Sequence, residues 1–214
     1  MKELVEIYIE RDIVPDLQIH QLRVASVAKI ICDDFKINVD TDRIVKACLF
    51  HDMGNIIKFN MSAFPLSFEP LGVERWKKIK EKYIEKYGND EHHANLMIAK
   101  EIGLDEKTVD IIDHIGFNRL NIVNNSGVYE YMIASYSDSR VVPTGVSSIA
   151  GRLEEGRVRY AEKIRYTDPE VHRGLVEALN SLEKLIFSEC NIKPDDINDN
   201  SIRETIDSLW KIQL

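Results

Sequence analysis

The sequence is short of the features that mark secreted, membrane-bound or polyanion-binding proteins. Its 214 residues include three cysteines, an odd number without a CxxC pair, so we expect reduced thiols in a cytoplasmic protein. No apolar run reaches the roughly 18 residues of a membrane span, and the N-terminus lacks the apolar core of a signal peptide. The net charge of −8 argues against a broad surface for a nucleic-acid polymer, but not against a nucleotide in a locally basic pocket.

Strand-type alternation is also missing, and apolar residues recur at helical spacing along most of the chain. We therefore predict an all-α fold. The predicted helices cover residues 2–13, 16–31, 41–52, 73–87, 91–102, 105–115, 128–140, 147–164, 168–190 and 201–211. Residues 54–72 have no periodicity and carry several aromatics, which leaves open whether this loop is a pocket lid or plain packing.

One stretch, Leu49 to Asn55, combines polar metal-binding side chains with a buried helix end. His51 and Asp52 follow an apolar run, and Gly54 follows them. Neighbouring residues on a helix point about 100° apart, so the pair can bind an ion only with ligands from other segments.

Four other predicted helices each offer one inward ligand-type residue: His20, His92, His114 and Asp138. His93, next to His92, leaves the choice of ligand in that helix open. Imidazole and carboxylate without thiolate suit iron, manganese or zinc rather than a structural zinc. Six ligands exceed the needs of one open catalytic ion, so we predict two divalent ions that share Asp52.

The order His…His-Asp…His…His…Asp resembles the HD superfamily of metal-dependent phosphohydrolases in its six-ligand, two-metal form. The resemblance covers roughly residues 16–142 and includes Gln18–Val24, Leu49–Gly54, Glu91-His92, Asp113-His114 and Tyr136–Val141. It implies an HD-domain helical bundle with additional C-terminal helices. We predict an HD domain over residues 1–142 and a helical extension over 143–214 packed on it, which could also form a homodimer surface.

The resemblance also implies a division of the ligands and a substrate class. His20, His51, Asp52 and Asp138 would hold one ion, and His92 and His114 would hold a second, with Asp52 bridging. The sequence does not distinguish iron, manganese, zinc, magnesium or nickel. The implied substrate is a small phosphorylated molecule, with a nucleotide as the leading class, cleaved by metal-activated water.

Three cationic residues are candidates for catalytic contacts to the substrate beside Asp52. Arg23 and Arg140 could clamp phosphate oxygens, or could equally be surface ion-pair partners. Many members of the superfamily carry lysine after the glycine, where this chain has Asn55, so Lys58 is a guess for that substrate contact.

Two further functions fit the same residues. A di-iron centre with these ligands would suit an oxygenase of the HD superfamily acting on a small hydroxylated substrate. A binding module without catalysis would keep the metal for stability alone, although a degenerate module would be expected to lose at least one ligand.

Overall fold

The computed structural model describes residues 2–61 and 70–213. Within these ranges the chain forms twelve α-helices and one two-stranded hairpin, so the all-α prediction is confirmed. The helices are α1 (Leu4–Glu10), α2 (Pro15–Asp34), α3 (Thr41–Phe50), α4 (Val73–Tyr87), α5 (Glu91–Glu101), α6 (Glu106–Asp113), α7 (Leu120–Ser126), α8 (Tyr129–Ser139), α9 (Ile149–Arg159), α10 (Ile164–Thr167), α11 (Pro169–Ser188) and α12 (Arg203–Leu209). Short 3₁₀ turns cover Asn55–Lys58, Phe117–Arg119 and Pro194–Asp196.

Helices α2, α3 and α8 pack against one another at the centre of the fold. Helix α2 starts with Pro15 at its first position, where the missing N–H costs nothing. Helix α3 begins at Thr41, as predicted, because the Asp40 side chain accepts a hydrogen bond from the Arg43 N–H at 3.2 Å. Their facing side chains are fully buried, among them Leu22, Val24, Ile44 and Phe50. Polar side chains that enter this apolar centre therefore need polar partners.

The C-terminal helices share a continuous apolar core with the rest of the chain. Helix α11 packs on α7 and α8, with Leu179, Leu182 and Ile186 fully buried, and α12 packs on α2. The predicted division at residue 142 stays a prediction.

Three local features differ from the sequence prediction. The predicted helix over 147–164 is broken, because α9 ends at Arg159 and α10 begins only at Ile164. Helix α7 was not predicted, since its three asparagines have low helix propensity. Strands β1 (Val141–Val142) and β2 (Gly145–Val146) form an antiparallel hairpin that is too short for alternation to be visible in the sequence. The predicted turn at Pro143 and Gly145 lies at its tip.

Much of the predicted aromatic loop, residues 62–69, lies outside the described residues. Every described helix is too short or too polar to cross a lipid bilayer.

One ion-pair network joins α1, α4 and α5, and it makes stability depend on pH. Although burial opposes ionisation, hydrogen bonds from Lys86, Arg11 and Tyr87 lower the pKa of Glu101 to about 2. A lowered folded-state pKa adds stability that is present above the unfolded pKa of 4.5 and is lost as pH falls toward 2. We expect Glu101→Gln to lower the melting temperature at pH 7, and the difference from the unchanged chain to shrink as pH drops from 4.5 toward 2. A pH-independent difference would contradict this account.

Candidate metal centre

His51 lies at the C-terminal end of α3, directly after its last buried turn. Its Nδ1–H donates to the Cys48 carbonyl at 2.8 Å, and since a carbonyl can only accept, this bond fixes the proton on Nδ1. The other ring nitrogen, Nε2, is buried and has no hydrogen-bond partner. The residue is 4% exposed. A buried imidazole oriented by a carbonyl, with its second nitrogen unused, is the usual arrangement of a metal-binding histidine.

Two carboxylates and a second imidazole surround this nitrogen. Nε2 of His51 lies 3.6 Å from Asp52 Oδ2 and 3.5 Å from Asp138 Oδ1. Nε2 of His20 lies 3.7 Å and 3.2 Å from the same two atoms. His20, His51 and Asp52 can each offer a ligand atom to one common ion. Helices α2, α3 and α8 thus bring together the four residues that the family resemblance assigns to the first ion.

The imidazoles and carboxylates of this group shift the pKa values of His51 and Asp138. Burial lowers the pKa of His51, but Asp52 and Asp138 outweigh it and raise the value to about 9. Burial raises the pKa of Asp138, yet His20 and His51 outweigh it and hold the value well below its usual range. Because metal ligands must be deprotonated, a cation at this site takes the place of the imidazole proton. The donor set of imidazoles and carboxylates fits a divalent ion.

Two buried amide side chains support the turn that carries Asp52, and sequence reasoning did not find them. Gln21, one residue after His20, accepts from the Asp52 N–H at 3.2 Å. Asn95, in α5, accepts from the Gly54 N–H at 2.5 Å. An added Cβ at Gly54 would lie 2.6 Å from the Ala94 Cβ, so this close approach requires glycine. The only available signal was a pair of polar residues on apolar helix faces.

His92 contacts a carboxylate outside this group. Its Nε2 lies 2.7 Å from Asp113 Oδ1, which is also 3.3 Å from Arg119 Nη2. Partial burial raises the pKa of Asp113, but His92 and Arg119 outweigh this effect and lower the pKa below its usual value. His93 is exposed, which favours His92 as the inward residue of α5.

His114 caps the end of α6 and stacks on Tyr131. The ring centroids are 3.9 Å apart and nearly parallel, and His114 Nδ1 lies 2.7 Å from the Asp110 carbonyl oxygen. Among the residues that the structure describes, neither His92 nor His114 has a ring nitrogen within 4.0 Å of the carboxylates of Asp52 or Asp138. The structure therefore gathers the first predicted ligand group and leaves these two histidines outside it.

The cationic candidates occupy three different environments. Arg23 donates to the Pro143 carbonyl at 3.0 Å, which ties α2 to the hairpin. The Lys58 ammonium lies 3.7 Å from Glu91, and the residue lines a surface groove of about 390 Å³ together with Lys77 and Lys80.

Arg140 is a buried structural residue, 2% exposed. Its guanidinium donates to the Tyr136 hydroxyl at 2.6 Å, to the Pro194 and Ile197 carbonyls at 3.1 Å each, and to the Ser147 carbonyl. It is not a surface ion-pair partner, and protein oxygens already use most of its donors. Arg140 is therefore not among the proposed substrate contacts.

The fold is all-α, and imidazoles and carboxylates carried by three central helices form a candidate metal centre. The protein therefore belongs to the class of helical proteins with a candidate metal centre. Residues 17–117, a little under half of the chain, match the family model described as HD domain, so this range is similar to an HD domain. The match includes every predicted ligand except Asp138. Comparisons with curated proteins and with solved structures gave no significant match. The matched family is of metal-dependent hydrolase type, and its domains bind divalent metal ions.

Proposed function

We propose that this protein is a metal-dependent phosphohydrolase that cleaves a phosphate ester or phosphoanhydride of a small molecule. The observation that carries the proposal is the buried Nε2 of His51, which holds no hydrogen bond and lies 3.6 Å and 3.5 Å from the carboxylates of Asp52 and Asp138. In a structural role this nitrogen would be expected to hold a hydrogen bond, since an unsatisfied buried polar atom costs about 1–3 kcal/mol.

Each residue of the group has a definite part in this proposal. His20, His51, Asp52 and Asp138 hold the first ion, and His92 and His114 hold a second after their side chains turn toward Asp52. A divalent ion bound here would lower the pKa of water and polarise a phosphoryl oxygen. Gln21 and the Cys48 carbonyl keep Asp52 and His51 in orientation.

The substrate class we propose is a nucleotide. The HD-domain match supports a phosphorylated substrate, and Lys58, on the segment that follows Asp52, lines a groove with Lys77 and Lys80. This part of the proposal rests on the family and on charge, and a panel of substrates tests it directly.

The test counts metal ions per chain in protein purified without chelator and measures phosphate release from nucleotides and simple phosphate esters. We expect two ions in the unchanged chain and in His93→Ala, whose side chain is exposed, but one ion in His92→Ala. Hydrolysis should persist without oxygen and with a redox-inert metal, which an oxygenase would not tolerate.

Either of two results would contradict the proposed phosphohydrolase function. Tight metal without phosphate release from any substrate on the panel would favour a non-catalytic binding module. Oxygen consumption coupled to substrate loss would favour the oxygenase. Equal metal content in His92→Ala and His93→Ala would remove His92 from the ligand set.

A further inference from the structure

Three arginines from two helices, α9 and α10, lie against a small group of aromatic rings near the C-terminal end of α9. We call Arg152, Arg159 and Arg165 the arginine cluster. The guanidinium carbons of Arg152 and Arg165 lie 5.0 Å and 5.2 Å from the centre of the Phe117 ring. Arg165 also lies 5.4 Å from the ring centres of Tyr160 and Tyr166. One ring thus brings two cations together in a partly desolvated place.

The resident carboxylates do not balance this positive charge. Glu155 serves two arginines, with its oxygens 3.0 Å from Arg152 Nη1 and 2.7 Å from Arg159 Nε. In the described part of the chain no carboxylate lies within 4.0 Å of Arg165. A local excess of positive charge is unusual in a chain of net charge −8.

Several donors of the cluster are buried and unused. The Nε atoms of Arg152 and Arg165 and the hydroxyl of Tyr166 are buried without a hydrogen-bond partner. Arg152 is only 7% exposed. Each unsatisfied donor costs about 1–3 kcal/mol, so a ligand with several acceptor oxygens would be bound favourably here.

Gly156 lets the Tyr166 hydroxyl reach the cluster. An added Cβ at Gly156 would collide with that hydroxyl, and it would lie 3.6 Å from Arg152 Nη1. The hydroxyl therefore sits against the backbone of α9 beside Arg152. A bulkier residue at position 156 would push it away.

A hydrogen-bonded chain begins two residues after Phe117, the ring that Arg152 and Arg165 share. Arg119 contacts Asp113, and Asp113 contacts His92, the residue proposed for the second ion. This chain runs from the 3₁₀ turn beside the arginine cluster toward α5.

We propose that the arginine cluster and Tyr166 form a subsite for a pyrophosphate group, the part of a phosphoanhydride substrate that carries most of its charge. This inference rests on the proposed function, because it names the substrate class of the same site. Planar guanidinium groups match phosphate oxygens in pairs, and the Tyr166 hydroxyl supplies one further donor. The C-terminal helices thereby determine specificity.

The test measures binding of inorganic pyrophosphate to the full chain by calorimetry, with a chelator present so that metal plays no part. We expect the unchanged chain to bind, and added salt to weaken binding. Arg165→Gln should weaken binding by about tenfold or more, the effect of losing one charge-assisted contact. Arg157→Gln should bind like the unchanged chain, since Arg157, in α9, is 60% exposed and pairs only with Glu154.

A second variant guards against misfolding. Gly156→Ala keeps every charge but displaces Tyr166, so it should also weaken pyrophosphate binding, with helical content checked by circular dichroism. Absence of binding to the unchanged chain, or equal affinity in Arg165→Gln and Arg157→Gln, would overturn the subsite. Since the measurement is free of metal, pyrophosphate binding without any hydrolysis would overturn the proposed function alone and leave the subsite standing.

Discussion

Asp52→Asn is expected to lose divalent metal and phosphate release together. The Asp52 carboxylate lies within 3.7 Å of both imidazoles and is the ligand proposed to bridge two ions. An amide keeps the shape but removes the charge that balances a cation. Loss of a supporting outer partner alone costs about 10–100-fold in affinity or activity, so loss of a direct ligand should exceed ~100-fold.

The matched control is Asp42→Asn. Asp42 belongs to the first turn of the same helix, is 66% exposed and pairs only with Lys46 at 2.8 Å, so its loss should leave metal content and hydrolysis unchanged. Melting curves in chelator separate misfolding from metal loss. Full metal content and full hydrolysis in Asp52→Asn would contradict the assignment.

The proximity of His20, His51, Asp52 and Asp138 could be predicted from the sequence, because each lies on a helix with an apolar face or directly after one. His20 shares the stripe of Leu17 and Val24, and His51 with Asp52 ends the most apolar stretch of the chain. Helical periodicity fixes which way such side chains point, and the packing of α2, α3 and α8 then brings them together.

The rest of the site could not be predicted, since it depends on contacts between distant segments. The Asp113 carboxylate that engages His92 lies 21 residues away, and nothing local distinguishes it from a surface charge. The arginine cluster likewise forms only when α9 and α10 fold against Phe117. Periodicity describes one helix at a time and carries no information on such pairs.

Arg140 shows how spacing alone misleads. Residues two apart on a helix point about 200° apart, so a side chain placed two positions after Asp138 faces away from the metal group. It enters the core on the opposite side of α8, where carbonyls of the 3₁₀ turn near Pro194 receive it. Proximity in sequence to a ligand predicted a phosphate clamp, whereas helix geometry favours a structural contact.

Arg140→Met is therefore expected to destabilise the whole protein. Methionine fills similar space but leaves the Ser147, Pro194 and Ile197 carbonyls without their donor. Hydrogen bonds to a charged group contribute about 1.5–3 kcal/mol each, and partial access of water to some of these oxygens reduces their sum. We expect the free energy of unfolding to fall by roughly 3–5 kcal/mol.

Chemical denaturation of Arg140→Met and Arg157→Met measures this directly. Arg157 is exposed, and its pair with Glu154 should contribute less than ~1 kcal/mol. Because Arg140 holds the end of α8 against the C-terminal segment, the Asp138 carboxylate should also lose its fixed position, and metal affinity should fall in protein that is still folded. Equal denaturation midpoints in the two variants would show that water replaces the guanidinium without cost. Unchanged metal affinity in a destabilised Arg140→Met would show that α8 holds Asp138 without help from the C-terminal helices.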